Sequence, residues 1–151
     1  MHAKFRCLPV FLAAAALSTA CETTATGSSG AQQLVEQVAA NHPDVARLTL
    51  HARPAGSTQL MAVASTSSAK RNRPSDPEDV QALERGEEVV LQEGDHVDVT
   101  LPMTDVDGSR SWVAGVTLRP EGRSREEVVA RARAIAAELD EAVRAATRPL
   151  W

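Results

Sequence analysis

The stretch His96–Arg119, HVDVTLPMTDVDGSRSWVAGVTLR, decides the fold. Val97, Val99 and Leu101 alternate with His96, Asp98 and Thr100, the period-two pattern of a strand with one apolar face. Asp105-Val106-Asp107-Gly108 carries hairpin-turn chemistry, and Ser111–Arg119 returns as a second strand. A lone hairpin is marginal in water, so its apolar face needs a cover. The chain supplies one just downstream. Ser124 and Glu127 form a capping box, and Val128, Ala132, Ile135, Leu139 and Val143 follow at three- and four-residue steps. That spacing predicts a long amphipathic helix from about Arg125 to Ala146, whose stripe needs a sheet to bury it.

Working back from the hairpin, Glu93-Gly94-Asp95 reads as a turn and Glu87–Leu91 as a short strand. Ser75-Asp76-Pro77-Glu78-Asp79 is a helix start: a capping side chain, proline in the first turn, and acids near the positive end of the dipole. Val80 and Leu83 give that helix a buried side, and Gly86 ends it. Before it lies a polar stretch, Ser67–Pro74, holding Lys70, Arg71 and Arg73. Thr58–Thr66 reads as a strand apolar on both faces, after a turn at Arg53–Ser57. Leu48 and Leu50 alternate with Arg47, Thr49 and His51 in a half-buried strand. Ala31–Asn41 places Leu34, Val35, Val38 and Ala39 on one helical stripe, ended by His42-Pro43. The order is helix, two strands, a crossover with a short helix, three strands, long helix. It predicts a single α+β domain over residues 31–147, with 148–151 as a tail whose Trp151 can fold back onto the sheet. One sheet face takes the terminal helices; the other faces the crossover, where a cavity can form.

Upstream of the domain the sequence has a different character. Met1–Arg6 carries Lys4 and Arg6 and no acid, Cys7–Leu17 is apolar, and Ser18, Thr19 and Ala20 lead into Cys21. That is the grammar of an export signal over residues 1–20. The apolar run reaches roughly 16 Å as a helix, too short to span a bilayer. Leu17-Ser18-Thr19-Ala20-Cys21 resembles a bacterial lipobox, with leucine one place earlier than the usual pattern. The resemblance implies cleavage before Cys21 and lipidation of its sulfur and amine, including an amide-linked chain such as palmitate. The alternative is an ordinary signal peptide followed by an incidental cysteine. Residues 21–30 then form the lipidated cysteine and a Thr/Ser/Gly-rich tether. On this reading the protein sits in the cell envelope, held to a membrane on its extracytoplasmic (periplasmic) side.

Composition narrows the partners. Losing Lys4 and Arg6 with the leader takes the formal net charge from −4 to −6, which argues against nucleic acid or anionic lipid as the main partner. Trp112 and Trp151 are the only aromatic rings of Phe, Trp or Tyr type past the leader, so aromatic cages and base-stacking platforms are excluded. With Cys7 removed and Cys21 lipidated, no thiol or disulfide chemistry remains. No glycine elbow, phosphate loop or carboxylate pair at a catalytic spacing appears, so an enzyme is not expected.

The element order, together with Ser75-Asp76-Pro77-Glu78-Asp79, Leu83 and Gly86, then Asp98-Val99-Thr100-Leu101-Pro102, Asp105, Gly108 and Gly115-Val116-Thr117-Leu118, resembles the extracytoplasmic Cache sensor domains, relatives of PAS. The match covers Ser75–Leu118. It implies a five-stranded antiparallel sheet in the order 2-1-5-4-3 and a small-molecule pocket beneath the crossover. The chain departs from the amino-acid-binding members in having no tyrosine. No signalling segment follows the domain, so sensing would pass through a membrane protein partner.

In such a crossover Lys70, Arg71 and Arg73 would present cations to a small organic anion, with arginine's fork suited to a carboxylate. The alternative is a solvated basic loop, or pairing with the acids of the next helix. His51, Asp98 and Thr100, with Thr117, could line the pocket. Ser111 and His96 share those faces, and Trp112 on the opposite face fits core packing under the long helix. No spacing forces metal ligands to converge, so neither metal nor cofactor is expected. These readings converge on a membrane-anchored, sensor-like, small-molecule-binding lipoprotein. The alternative is an envelope protein–protein interaction lipoprotein with a filled, ligand-free pocket.

Overall fold

A computed structural model describes residues 29–105, 107–146 and 150–151. The expected signal, Cys21, nearly all of the tether, Val106 of the hairpin turn and residues 147–149 lie outside the described residues. The elements are α1 (Gly30–Ala40), β1 (Val45–Ala52), β2 (Met61–Ser65), α2 (Pro77–Arg85), β3 (Val89–Glu93), β4 (His96–Thr104), β5 (Arg110–Leu118) and α3 (Arg125–Ala145). The strands form one five-stranded sheet in the order β2-β1-β5-β4-β3, every neighbouring pair antiparallel. Fold class and strand order agree with the sequence reading.

Local chemistry accounts for the boundaries. Ser124 Oγ accepts from Glu127 N while the Glu127 carboxylate accepts from Ser124 N, the expected capping box of α3. At α1 the Ser29 hydroxyl accepts from Gln32 N, which starts that helix one residue earlier than its apolar stripe indicated. For α2 the cap is Asp76, and Gly86 closes the helix at φ 72°, a conformation that costs glycine little. β2 begins later than expected because the Ser57 hydroxyl holds Gln59 N in a turn. β4 continues past Leu101 to Thr104. It tolerates Pro102 there because β3 covers β4 only from His96 to Thr100, leaving a free side for a residue that has no N–H.

The main core lies between the sheet and helices α1 and α3. Leu48, Leu50, Val97, Val99, Trp112, Val116 and Leu118 meet Val35, Val38, Val128, Ala132, Ile135 and Leu139. Trp112 is fully buried there, and Leu150 and Trp151 fold back to pack against the same cluster. The opposite face carries a smaller apolar patch, Leu60, Ala82, Leu83 and Val113, which fixes α2 to the sheet. The crossover therefore lies on the face free of α1 and α3. Among the described residues no helix is long and apolar enough to cross a membrane.

Candidate functional site

Beside the small apolar patch, the crossover face turns polar. Strand alternation places Arg47, Thr49 and His51 of β1, Asp98 and Thr100 of β4, and Gly115 and Thr117 of β5 on this side. The crossover brings Lys70, Ser75 and Asp76 over them, and the first turn of α2 brings Asp79. His51, Asp79, Asp98, Thr49, Thr100 and Thr117 are all buried, none more than 7% exposed.

Each buried group has its bonds arranged by the fold. Asp79 sits three residues after the cap, so one carboxylate oxygen accepts from Asp76 N at 3.0 Å. Its other oxygen accepts from the Thr100 hydroxyl at 3.4 Å. His51 Nδ1 lies 2.7 Å from Ser75 Oγ and 3.3 Å from Asp79 Oδ2. The ring fits because β5 has glycine beneath it: a Cβ at Gly115 would stand 3.3 Å from His51 Nε2. Asp98 accepts from the Thr117 hydroxyl, and Arg47 reaches the same oxygen at 3.5 Å while holding Glu93 at 3.0 Å. At the exposed rim, Lys70 Nζ donates to Asp76 Oδ2 at 2.6 Å.

Burial dominates the electrostatics. It pushes the His51 imidazole down to about 4, so the ring is neutral near pH 7. Burial likewise pushes the Asp79 carboxyl up to about 7, against the lowering effect of the Asp76 N–H bond. Asp98 is also raised by burial, opposed by the Thr117 hydroxyl and Arg47. The hydrogen bond to Asp76 holds the Lys70 ammonium above its ordinary value. Between about pH 4 and about pH 7 His51 is therefore neutral and Asp79 protonated, the reverse of their ordinary order. Between these walls lies a cavity of about 20 Å³ lined by Arg47, Thr49, His51, Lys70, Asp76, Glu78, Asp79, Glu93, Asp98 and Gly115.

Of the residues singled out in the sequence, the structure brings some together and separates others. His51, Asp98 and Lys70 line the cavity. Thr100 and Thr117 stand behind it as the hydroxyls that bond Asp79 and Asp98. The basic trio does not assemble. Arg71 turns away and donates to Ser65 O at 3.2 Å, with Glu36 at 3.8 Å. Arg73 is exposed, and its backbone carbonyl accepts from Ala62 N at the edge of β2. The expected grip of three cations on a carboxylate is thereby corrected to a single lysine already paired with an acid. His96 lies at the strand end beside Asp95, 2.7 Å away, and Ser111 does not line the cavity.

Sequence reasoning missed Asp79, Ser75, Arg47 and Gly115. A signal existed for two of them. Asp79 falls on the same helical stripe as Leu83, four residues on, and a glycine inside a strand marks close approach. The Ser75–His51–Asp79 grouping lacks the geometry of a catalytic triad, because serine and aspartate both face Nδ1 and, among the described residues, no hydroxyl bonds Nε2. Among the described residues no three His, Cys, Asp or Glu side chains gather closely enough to hold a metal ion.

No family model and no curated protein matches the chain. Solved structures do. The chain is similar to a putative GAF sensor protein from Burkholderia vietnamiensis at 13% identity, covering 74% of this chain and 71% of that one, with a TM-score of 0.51. The fold is GAF-like and PAS-related. The GAF domain of an Acinetobacter phosphoenolpyruvate-protein phosphotransferase matches at 14% identity, over 82% of this chain and 90% of that one, with a TM-score of 0.48. The second GAF domain of DevS from Mycobacterium smegmatis matches at 15% identity, over 76% and 96%, with a TM-score of 0.49. At these identities the likeness speaks to architecture, and the side chains of the cavity must be argued from their own geometry.

Proposed function

We propose that this chain is a membrane-anchored extracytoplasmic lipoprotein whose GAF-like domain binds a small polar molecule beneath its crossover and reports it through a membrane protein partner. The binding role rests on one observation: His51, Asp79, Asp98 and their threonine partners are buried on a sheet face whose other half is aliphatic. Burying carboxyl groups costs free energy unless they are fully hydrogen-bonded, and perturbed groups around a cavity are the usual mark of a site. A face with only a packing duty would be better served by more residues like Leu83 and Val113. The anchor rests on the leader, on Leu17-Ser18-Thr19-Ala20-Cys21, and on the tether that follows.

Two experiments test this reading. Thermal melts of the full chain against amines, amino acids, carboxylates and neutral polar compounds should give at least one stabilising ligand. A ligand at about 100 times its dissociation constant adds about 2.7 kcal/mol. Flat curves throughout would remove the binding role. Cys21→Ala should move the protein from the membrane to the soluble fraction and abolish the added acyl mass. An unchanged fractionation would remove the anchor.

A second reading, an envelope interaction module with a filled pocket, draws on the size of the cavity. About 20 Å³ admits one or two water-sized bodies, less than a whole organic anion needs. The same melts separate the two readings.

A further inference from the structure

We infer that the cavity beneath the crossover takes the ammonium head of a small primary amine, a ligand class that rests on the binding role proposed above. Charge is the leading argument. Asp79 and Asp98 lie inside, and the cations that reach the cavity are already engaged: Arg47 between Glu93 and Asp98, Lys70 on Asp76. An entering anion would meet carboxyl groups it cannot pair with. An entering cation meets a lining with five carboxyl groups, Asp76, Glu78, Asp79, Glu93 and Asp98, against two cations, Arg47 and Lys70.

His51 gives an independent pointer. Its ring is more than nine-tenths buried, and Ser75 and Asp79 occupy Nδ1. Nε2 has no hydrogen-bond partner among the described residues, and it stands over Gly115 on the cavity wall. With the pair's last proton on Nδ1, between two oxygens, Nε2 is an acceptor for an N–H donor.

Size agrees. An ammonium head is about as large as water, so the cavity of about 20 Å³ receives it without rearrangement. The remainder of the amine would leave at the rim, where Lys70 and Glu93 are both about 40% exposed. A metal ion is the poorer occupant, since no three suitable ligands converge among the described residues.

Binding is coupled to a proton. Asp79 is in contact with His51 from β1 and feels Asp98 from β4 and Asp76 and Glu78 at the start of its own helix, and it shares the cavity with Arg47 from β1, Glu93 from β3 and Lys70 from the crossover. Pairing with an ammonium head requires the Asp79 carboxylate, so its proton passes to solvent as the amine enters. With that carboxyl half-protonated at about 7, affinity should be about tenfold higher at pH 8 than at pH 6.

The test is calorimetric titration of the full chain with methylammonium chloride and with sodium acetate, at equal ionic strength, at pH 6 and pH 8. Methylammonium should bind about tenfold tighter at pH 8, with proton release seen in buffers of different ionisation enthalpy. Lys70→Met, at a rim position whose loss the core does not feel, should tighten methylammonium by removing a competing cation; Asp98→Asn should weaken it. Acetate binding with methylammonium inert overturns the ammonium inference and leaves the binding role standing. Methylammonium affinity that is indifferent to both pH and Lys70→Met also overturns it. If neither salt binds and no compound stabilises the chain in thermal melts, the binding role falls as well.

Discussion

Replacing Asp79 by asparagine should expose a pH dependence that the wild-type protein conceals. His51, ordinarily near 6.5, titrates at about 4 in the fold. Between those values the unfolded chain holds a proton that the folded chain lacks, so stability rises with pH by about 3 kcal/mol. Asp79, ordinarily 3.8, titrates at about 7. Its raised value stabilises the fold at low pH, and that contribution of about 4 kcal/mol is lost as pH climbs from 3.8 to about 7. The two slopes oppose each other over nearly the same interval, because folded and unfolded pairs each hold one proton there. The wild type should therefore show little net dependence from this pair. Asparagine keeps the shape of Asp79 and an acceptor for Asp76 N but cannot ionise, which leaves the His51 slope alone. Urea denaturation of the full chain from pH 4.5 to 7.5 should show Asp79→Asn gaining about 2.5 kcal/mol relative to its own value at pH 4.5. The complementary His51→Gln should lose stability over the same range. Parallel profiles for wild type and Asp79→Asn would mean that Asp79 ionises normally in the fold, and that burial does not hold its proton.

Other substitutions test neighbouring parts of the same argument. Thr117→Val removes the hydroxyl that bonds Asp98, pushing that carboxyl higher still; a loss of about 1–2 kcal/mol is expected, larger at pH 8 than at pH 5, by urea denaturation. Gly115→Ala sets a methyl 3.3 Å from an imidazole pinned at 2.7 Å to Ser75, so it should cost about 1 kcal/mol despite alanine's better strand entropy and should weaken any cavity ligand, read by thermal melting. Asp44 is buried under Arg131, whose hydrogen bonds hold its carboxyl below the ordinary range, and Arg123 adds a further countercharge. Asp44→Ala should cost about 1–2 kcal/mol at pH 7, discounted because both arginines are about a third exposed, and the difference should shrink as acid protonates Asp44 below the ordinary carboxylate range.

The architecture was legible because its long-period signals are redundant. The stripe from Val128 to Val143 and the alternation from His96 to Leu101 each repeat one message several times, and caps at Ser124 and Gly86 mark where elements stop. The directions of the loop side chains were not legible. Asn72 adopts a left-handed conformation at φ 59°, which turns Arg71 toward Ser65 and leaves Arg73 outside. Asparagine tolerates that conformation better than most residues, yet nothing local demands it. The demand is tertiary: Asn72 N and the Arg73 carbonyl pair with Ala62, closing the free edge of β2. His51 and Asp98 posed the reverse problem. Strand order separates β1 from β4 by β5; the absence of a side chain at Gly115 makes room for the His51 ring, and the long side chain of Arg47 crosses β5 to reach Asp98.

The roof of the cavity is fastened by two different kinds of interaction, and their magnitudes decide how the site can open. At the end near β3, Leu83 and Ala82 of α2 are buried against Val113 and Leu60; lifting a single leucine from such a patch costs about 1.5–3 kcal/mol. At the other end the crossover is held by the Lys70–Asp76 pair, with both side chains more than 40% exposed, and by edge bonds of Asn72 and Arg73 to Ala62. An exposed ion pair is worth about 1 kcal/mol at most and weakens with salt. Opening is therefore expected to start at Lys70, and Ser75, bonded to His51 and to the Leu60 carbonyl, limits how far it goes. That direction widens the cavity beside His51 Nε2 and Asp98 while leaving the Asp76 N bond to Asp79 within the helix intact. A ligand larger than the cavity would be expected to extend on the Lys70 side, so exchanges in the crossover loop, rather than in α2, should change which molecules stabilise the chain in thermal melts.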